Sequence, residues 1–273
     1  MENLPLTLFV EISREAKLMV IAIVQARMGS SRLPGKVMLD ICGKPVLWHI
    51  VERLKRSKRI DEIIIATSEN IENDRIREFC IEESISNYSG CENDVLDRFY
   101  QANKIIAIGN EDSIVRITAD CPLIDPEIID RVIEMHKDKK ADYTSNVIKP
   151  SFPDGLDCEV MGFSALTDSW INAKLKSERE HVTLYIKNHP ELFHIESLEN
   201  DVNLSSLRWT LDEPEDYILI KEIYKNLYKD TKGFVTADII NLIDNNPALK
   251  TINSMHVRNE GLLKSLLEDE NGN

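Results

Sequence analysis

The segment Gln25-Ala-Arg-Met-Gly-Ser-Ser-Arg-Leu-Pro-Gly-Lys36 gathers more potential chemistry than any other stretch of the chain. Gly29 and Gly35 permit tight turns and close backbone approach. Ser30 and Ser31 offer hydroxyl donors, and Arg27, Arg32 and Lys36 place three cations within ten residues. A polyphosphate needs backbone N–H donors, a concave turn and counter-charge, and this loop can offer all three. It is neither a G-x-x-x-x-G-K-[ST] loop nor a G-x-G-x-x-G fingerprint, and on composition a solvated basic turn is an equal reading. Two carboxylates, Asp120 and Asp212, each follow an apolar stretch. Such acids can ligate a hard cation. They can equally cap a helix, because a Pro stands two residues after each, and spacing alone favours capping. Asp154, Asp157 and Glu159 alternate with apolar residues and read as three acids on one strand face. His49, His136, His181, His189, His194 and His256 show no H-x-x-x-H or H-E-x-x-H spacing, which argues against a zinc site.

These residues need a frame. Met19–Gln25 is a continuous apolar run, the pattern of a strand buried on both faces. Pro45 opens a helical stretch through about Lys58. Glu62–Thr67 reads as a second buried strand, Glu72–Glu83 as a helix, Asn87–Ser89 as a short strand and Asp94–Ile108 as a helix. Ser113–Thr118 is another strand, leading to Asp120, and Pro126 opens the next helix. Buried strands alternating with helices predict a mostly parallel sheet with right-handed crossovers, whose ligands collect at the carboxyl ends of the strands. The basic loop and Asp120 both lie at such ends. Further on, Ala141–Asn146 and Leu156–Gly162 read as strands and Glu178–Asn188 as a helix. Phe193–Leu198 and Leu207–Leu211 alternate like antiparallel strands, and Glu215–Tyr228 and Thr236–Asp244 read as helices. The simplest organisation is one α/β domain over 19–266 with an insertion at about 143–200. Residues 1–18 are an extension or a misassigned start, and 267–273 form a polar tail.

Charge and composition bound the function. The 273 residues carry 33 Lys+Arg against 47 Asp+Glu, a formal net charge of −14, yet residues 17–59 alone are +8. A chain this acidic does not suit nucleic acid, whose binding is led by phosphate neutralisation. A short basic window suits a small anionic ligand. The five cysteines form no C-x-x-C pair and fit reduced thiols in a cytoplasmic protein. The apolar run Leu4–Ile12 lacks a basic flank and is no convincing signal peptide, and no stretch approaches the roughly 20 apolar residues that span a bilayer.

The loop Ala26-Arg-Met-Gly-Ser-Ser-Arg-Leu-Pro-Gly-Lys36 resembles the A-R-x-G-S-x-R-L-P-x-K loop of the cytidylyltransferases that activate sugar acids as CMP derivatives. The branch named after spore coat polysaccharide biosynthesis protein F is the most similar. Val115-Arg-Ile-Thr-Ala-Asp-Cys-Pro-Leu123, Asp154-Gly-Leu-Asp-Cys-Glu-Val160, Arg179-Glu-His-Val-Thr183, Arg208-Trp-Thr-Leu-Asp-Glu-Pro-Glu-Asp216 and Arg258-Asn-Glu-Gly261 agree with that branch, over roughly residues 19–266. The resemblance implies a Rossmann-like nucleotidyltransferase fold, a three-layer α/β/α sheet with a small insertion. It implies attack by an acceptor oxygen on the α-phosphate of CTP, with Mg2+ as cofactor and pyrophosphate leaving. Carried over residue by residue, it makes Arg27, Lys36 and Asp120 catalytic and Asp120 and Asp212 the metal ligands. Ala26, Arg27, Gly29, Ser30, Arg32, Lys36, Thr67 and Ser68 would hold the nucleotide. Asp154, Asp157, Glu159 and His181 would face a small acidic acceptor, and Arg116 stays open between the triphosphate and a structural pairing. The partners implied are CTP, the acceptor and a second copy in a homodimer, with no nucleic acid and no membrane. Use of another NTP, or a non-catalytic sugar-nucleotide-binding role, are the alternatives.

Overall fold

The computed structural model describes residues 18–106, 109–228, 233–256, 258 and 265–269. The expectations for residues 1–17 and for the tail beyond 269 lie outside the described residues, as does most of the Arg258–Gly261 segment.

The chain opens with β1 (Val20–Gln25), then a small hairpin of β2 (Asp40–Ile41) and β3 (Lys44–Pro45), and α1 (Val46–Leu54). β4 (Glu62–Ser68), α2 (Asp74–Glu82), β5 (Ser86–Gly90), α3 (Val95–Asn103), β6 (Ser113–Thr118) and α4 (Pro126–Lys139) follow. The later part holds β7 (Tyr143–Ser145), β8 (Glu159–Gly162), α5 (Phe163–Asn172), α6 (Lys176–Glu180), α7 (Leu184–Asn188), β9 (Ile195–Ser197), α8 (Pro214–Leu227) and α9 (Thr236–Asn245).

One sheet runs β5-β4-β1-β6-β8-β7-β9. β5, β4, β1 and β6 are parallel, with Ala22 level with Ile63 and Val115, while β8 is antiparallel to both β6 and β7. Strand alternation sorts the core into two layers. Val20, Ala22 and Val24 pack toward α1, α2, α4 and α8, whereas Ile21, Ile23, Ile64 and Ala66 pack toward α3, α5 and α7. The expected α/β/α layering is therefore present, and the carboxyl ends of β1, β4, β5 and β6 share one edge.

Four local expectations need correction. β9 pairs parallel with β7, not antiparallel. Leu207–Leu211 is no strand, because its backbone bonds are divided between two partners. The Trp209 N–H goes to the Asp154 carbonyl, with a single bridge between Asp154 and Arg208, and the Leu211 N–H goes to the Asp120 carbonyl. The expected helix 178–188 is broken at His181–Thr183 into α6 and α7, where the Thr183 hydroxyl turns inward to Glu159. Helix α5 was not anticipated. Its Ser164, Thr167, Ser169 and Asn172 dilute the helical pattern, but the Thr167 and Ser169 hydroxyls bond carbonyls one turn back.

Candidate active site

The basic loop leaves β1 with the Ala26 N–H bound to the Ala66 carbonyl of β4, then folds on itself through a bond from the Gly35 N–H to the Met28 carbonyl. Gly35 sits at φ +68, a conformation that favours glycine. Ser30 works inside the turn, accepting from the Leu33 N–H at 3.3 Å. Asn73, fully buried, accepts from the Met28 N–H at 2.7 Å and donates to the Ser68 hydroxyl at 2.6 Å. The end of β4 and the loop are thereby locked together.

Lys36 leaves this loop toward the end of β6. Its Nζ donates to Asp120 Oδ2 at 3.0 Å and to Asp212 Oδ1 at 2.6 Å. Burial alone would lower the lysine pKa, but the two carboxylates raise it, so the side chain is a fixed ammonium. Burial pushes the Asp120 carboxyl up. Lys36, the Thr118 hydroxyl at 2.5 Å and the Cys121 thiol pull it down further, to about 2. Neither aspartate caps a helix. Asp125 caps α4 by accepting from the Glu127 N–H, and Asp216 accepts from the backbone N–H groups of Asp212 and Glu213 at the start of α8. Both carboxylates are thus available to the crevice. Arg32 reaches Asp212 at 3.4 Å and Glu213 at 2.9 Å.

Arg27 points the other way, along the edge toward β4 and β5, where its Nη1 meets Glu92 at 3.0 Å. Thr67 is fully buried with a hydroxyl that has no partner among the described residues.

On the far side, a buried network holds Asp212 in place. Arg208 binds Asp216 through Nε at 3.0 Å and Nη2 at 2.9 Å, and Asp154 at 3.2 Å. Asn253 adds a 2.8 Å bond to Asp216. Gly155, at φ +98, lets this strap approach. A Cβ there would lie 2.4 Å from the Thr210 nitrogen. Arg258 bridges Asp154 at 3.5 Å and Asp157 at 2.7 Å. Burial, reinforced by Asp154, Glu159 and Asp120, drives the Asp157 carboxyl up to about 7 against the pull of Arg258.

The three acids expected on one strand face are not so arranged. β8 begins only at Glu159, and Asp154 and Asp157 lie on the bend before it. Glu159 is buried and faces a separate set: Arg116, Lys187 at 3.3 Å, Tyr143 at 2.6 Å and Thr183 at 2.9 Å. This resolves Arg116 as an ion-pair partner of Glu159. His181 is not mid-helix but at the α6–α7 break, where its Nε2 meets the Ser265 hydroxyl at 3.0 Å. Sequence reasoning passed over Glu92, Asn73, Arg208 and Asp216. The last two stand eight residues apart at the ends of the Arg208–Asp216 segment, but nothing local marks them as an ion pair. Among the described residues no group of three or more His, Cys, Asp or Glu is arranged to hold a metal.

Residues 21–237 match the protein family described as cytidylyltransferase. The uncharacterized protein MJ1063 of Methanocaldococcus jannaschii is 41% identical over 239 residues, covering 86% of this chain and 94% of that one. Spore coat polysaccharide biosynthesis protein SpsF of Bacillus subtilis is 36% identical, covering 85% and 97%. Among solved structures, a cytidylyltransferase from Leptospira borgpetersenii superimposes with a TM-score of 0.79 at 33% identity, covering 85% of this chain and 97% of that one.

Proposed function

The chain belongs to the cytidylyltransferase family, and on that premise we propose that it transfers CMP from CTP to a sugar acid or a related acid, releasing pyrophosphate, in polysaccharide or glycoconjugate synthesis. The observation that carries this reading is the meeting of Lys36, Asp120 and Asp212 beside the glycine loop. The name of the Bacillus subtilis relative supports the polysaccharide setting.

In this reading an acceptor hydroxyl oxygen attacks the α-phosphorus, the bond to the β-phosphate oxygen breaks, and pyrophosphate departs. The protein's task is positioning and charge stabilisation. The loop backbone from Ala26 to Lys36 cradles the triphosphate, with Ser30 setting the turn. Lys36, Arg27 and Arg32 oppose its charge. Ser68 and Thr67, both buried at the end of β4, stand behind the nucleoside side. Asp154, Asp157 and His181 face the acceptor side, with Glu159 behind them. Asp120 and Asp212 fit Mg2+, because both present hard, ionisable oxygens to one point now spanned by the Lys36 ammonium, and Mg2+ takes few carboxylates plus phosphate oxygens. Mg2+ held there supplies further neutralisation of the triphosphate.

The reading extends to a homodimer in which residues 143–200 reach the partner, and to a cytoplasmic setting, where the free thiols Cys42, Cys80, Cys91, Cys121 and Cys158 persist. No helix of the described residues is long and apolar enough to cross a membrane.

Pyrophosphate release from each NTP across a panel of sugar acids and phosphonates, with Mg2+, tests the proposal. Release from CTP with at least one acid is expected. Release only from another NTP removes the cytidine assignment, and CTP binding without release from any acceptor favours a non-catalytic binding protein.

A further inference from the structure

Arg98, in the first turns of α3, is 1% exposed, and neither its Nε nor its Nη1 and Nη2 has a hydrogen-bond partner among the described residues. Its stem lies against Gly90 at the end of β5, where an added Cβ would come within 2.9 Å of Arg98 Cγ. Burial lowers the guanidinium pKa, and Glu92 is the acid that opposes this most, while Arg27 repels it. A guanidinium is a donor-only group, and leaving its N–H groups buried without acceptors is costly. Such a group calls for an anion.

Glu92 is within its field but is turned elsewhere. Its carboxylate accepts from Arg27 at 3.0 Å and from Asn70 at 3.3 Å, and also from the Ser68 hydroxyl, all of which it exchanges if it turns. Arg27 is 47% exposed and Glu92 22%, so their pair is a weak one that breaks at small cost. Arg27 is also the loop cation that points away from Lys36, and a phosphate at the loop competes with Glu92 for it.

We infer that Glu92 and Arg98 are positioning residues that hand Arg27 to the triphosphate. Glu92 holds Arg27, as in this structure, until the phosphates take the arginine. The released carboxylate then turns to Arg98, so that neither a buried cation nor a stranded acid remains. The Glu92–Arg98 pair is made only in the bound arrangement and so favours binding. No covalent bond changes. The inference rests on the reading that Arg27 serves the triphosphate.

Calorimetric titration of the full chain with CTP and Mg2+ tests it without knowledge of the acceptor. Arg98→Met should raise the Kd for CTP about tenfold, within the usual span of a coupling between sites. It should not lower the melting temperature measured without CTP, because Arg98 makes no side-chain hydrogen bond among the described residues to give up. Adding Glu92→Gln to Arg98→Met should return the Kd to near that of the wild type, since no carboxylate is then left to re-pair. Arg98→Lys, which keeps the charge but not the fork, should give a smaller shift with the same masking, and serves if Arg98→Met does not fold. An unchanged Kd in the single variants, or an equal rise with and without Glu92→Gln, overturns the hand-over. So does loss of CTP-over-UTP preference in Arg98→Met, which would mean that Arg98 meets the base itself. Wild-type CTP affinity in Arg27→Ala would instead remove the premise.

Discussion

Lys36 joins two carboxylates that are 92 residues apart in sequence, Asp120 and Asp212, and the pairing favours the charged forms of Lys36 and Asp120. Loss of one preorganised charge contact of this kind typically lowers turnover by about 10²–10³. Lys36→Ala is therefore expected to fall by that order in pyrophosphate release, with unchanged circular dichroism. Near-normal turnover would remove Lys36 from the machinery. Two nearby acids titrate in opposite senses. Asp120 has its folded pKa depressed to about 2, so its contribution to stability is full above about pH 4 and is lost as pH falls through 2. Asp157 has its folded pKa raised to about 7, so its contribution is full below about pH 4 and is lost as pH rises through 7. The Asp157→Asn variant should gain melting temperature relative to wild type progressively from pH 4 to 7, with a flat difference above. A difference independent of pH would show that Asp157 titrates normally.

At the scale of elements, the strap 207–212 decides where Asp212 sits. Its sequence alternates like a strand, yet only the fold reveals that the Trp209 amide bonds Asp154 and the Leu211 amide bonds Asp120. Gly155 makes the approach possible. Gly155→Ala forces a Cβ into the Trp209–Thr210 backbone and removes the freedom to hold φ +98. A loss of about 1–3 kcal/mol or more is expected in chemical denaturation, the scale of backbone strain at such positions. Turnover should drop as well, because Asp212 moves with the strap. The start of α3 is fastened comparably. Asp94 accepts from the Asp97 N–H as its cap and from Arg179 at 2.6 Å. Asp94→Ala should cost about 0.5–2 kcal/mol for the cap alone, measured by urea unfolding. α5 and the α6–α7 break escaped sequence reading for related reasons. Hydroxyl residues blur helical periodicity, and Thr183 obeys Glu159, a partner 24 residues away.

The molecule as a whole sorts its charge more finely than its net −14 suggests. Within the basic window, Arg53 binds the Ile124 and Phe234 carbonyls, Arg56 the Gly233 carbonyl and Arg59 the Glu134 carboxylate. These cations fasten α1 and the turn after it to their neighbours, and among the described residues of that window Arg27, Arg32 and Lys36 face the crevice acids Glu92, Asp212, Glu213 and Asp120. A triphosphate that binds there should stabilise the fold, by about 2.7 kcal/mol at 100 times its Kd. With Mg2+ present, CTP is expected to raise the melting temperature more than ATP, GTP or UTP, and equal shifts for all four would argue against cytosine selection. By itself, the sequence determined the layered α/β architecture, the edge where the chemistry lies and the loop that faces it. Continuous apolar strands, Pro-opened helices and a Gly-Ser-Arg turn are local signals that need no knowledge of distant partners. Tertiary structure alone decided that Asp120 and Asp212 meet on one ammonium, that Glu159 is taken by Arg116 and Lys187, and that Arg98 lies buried while Glu92 is engaged by Arg27. Charge pairing depends on through-space distance and burial, and neither is written in the spacing of residues along the chain.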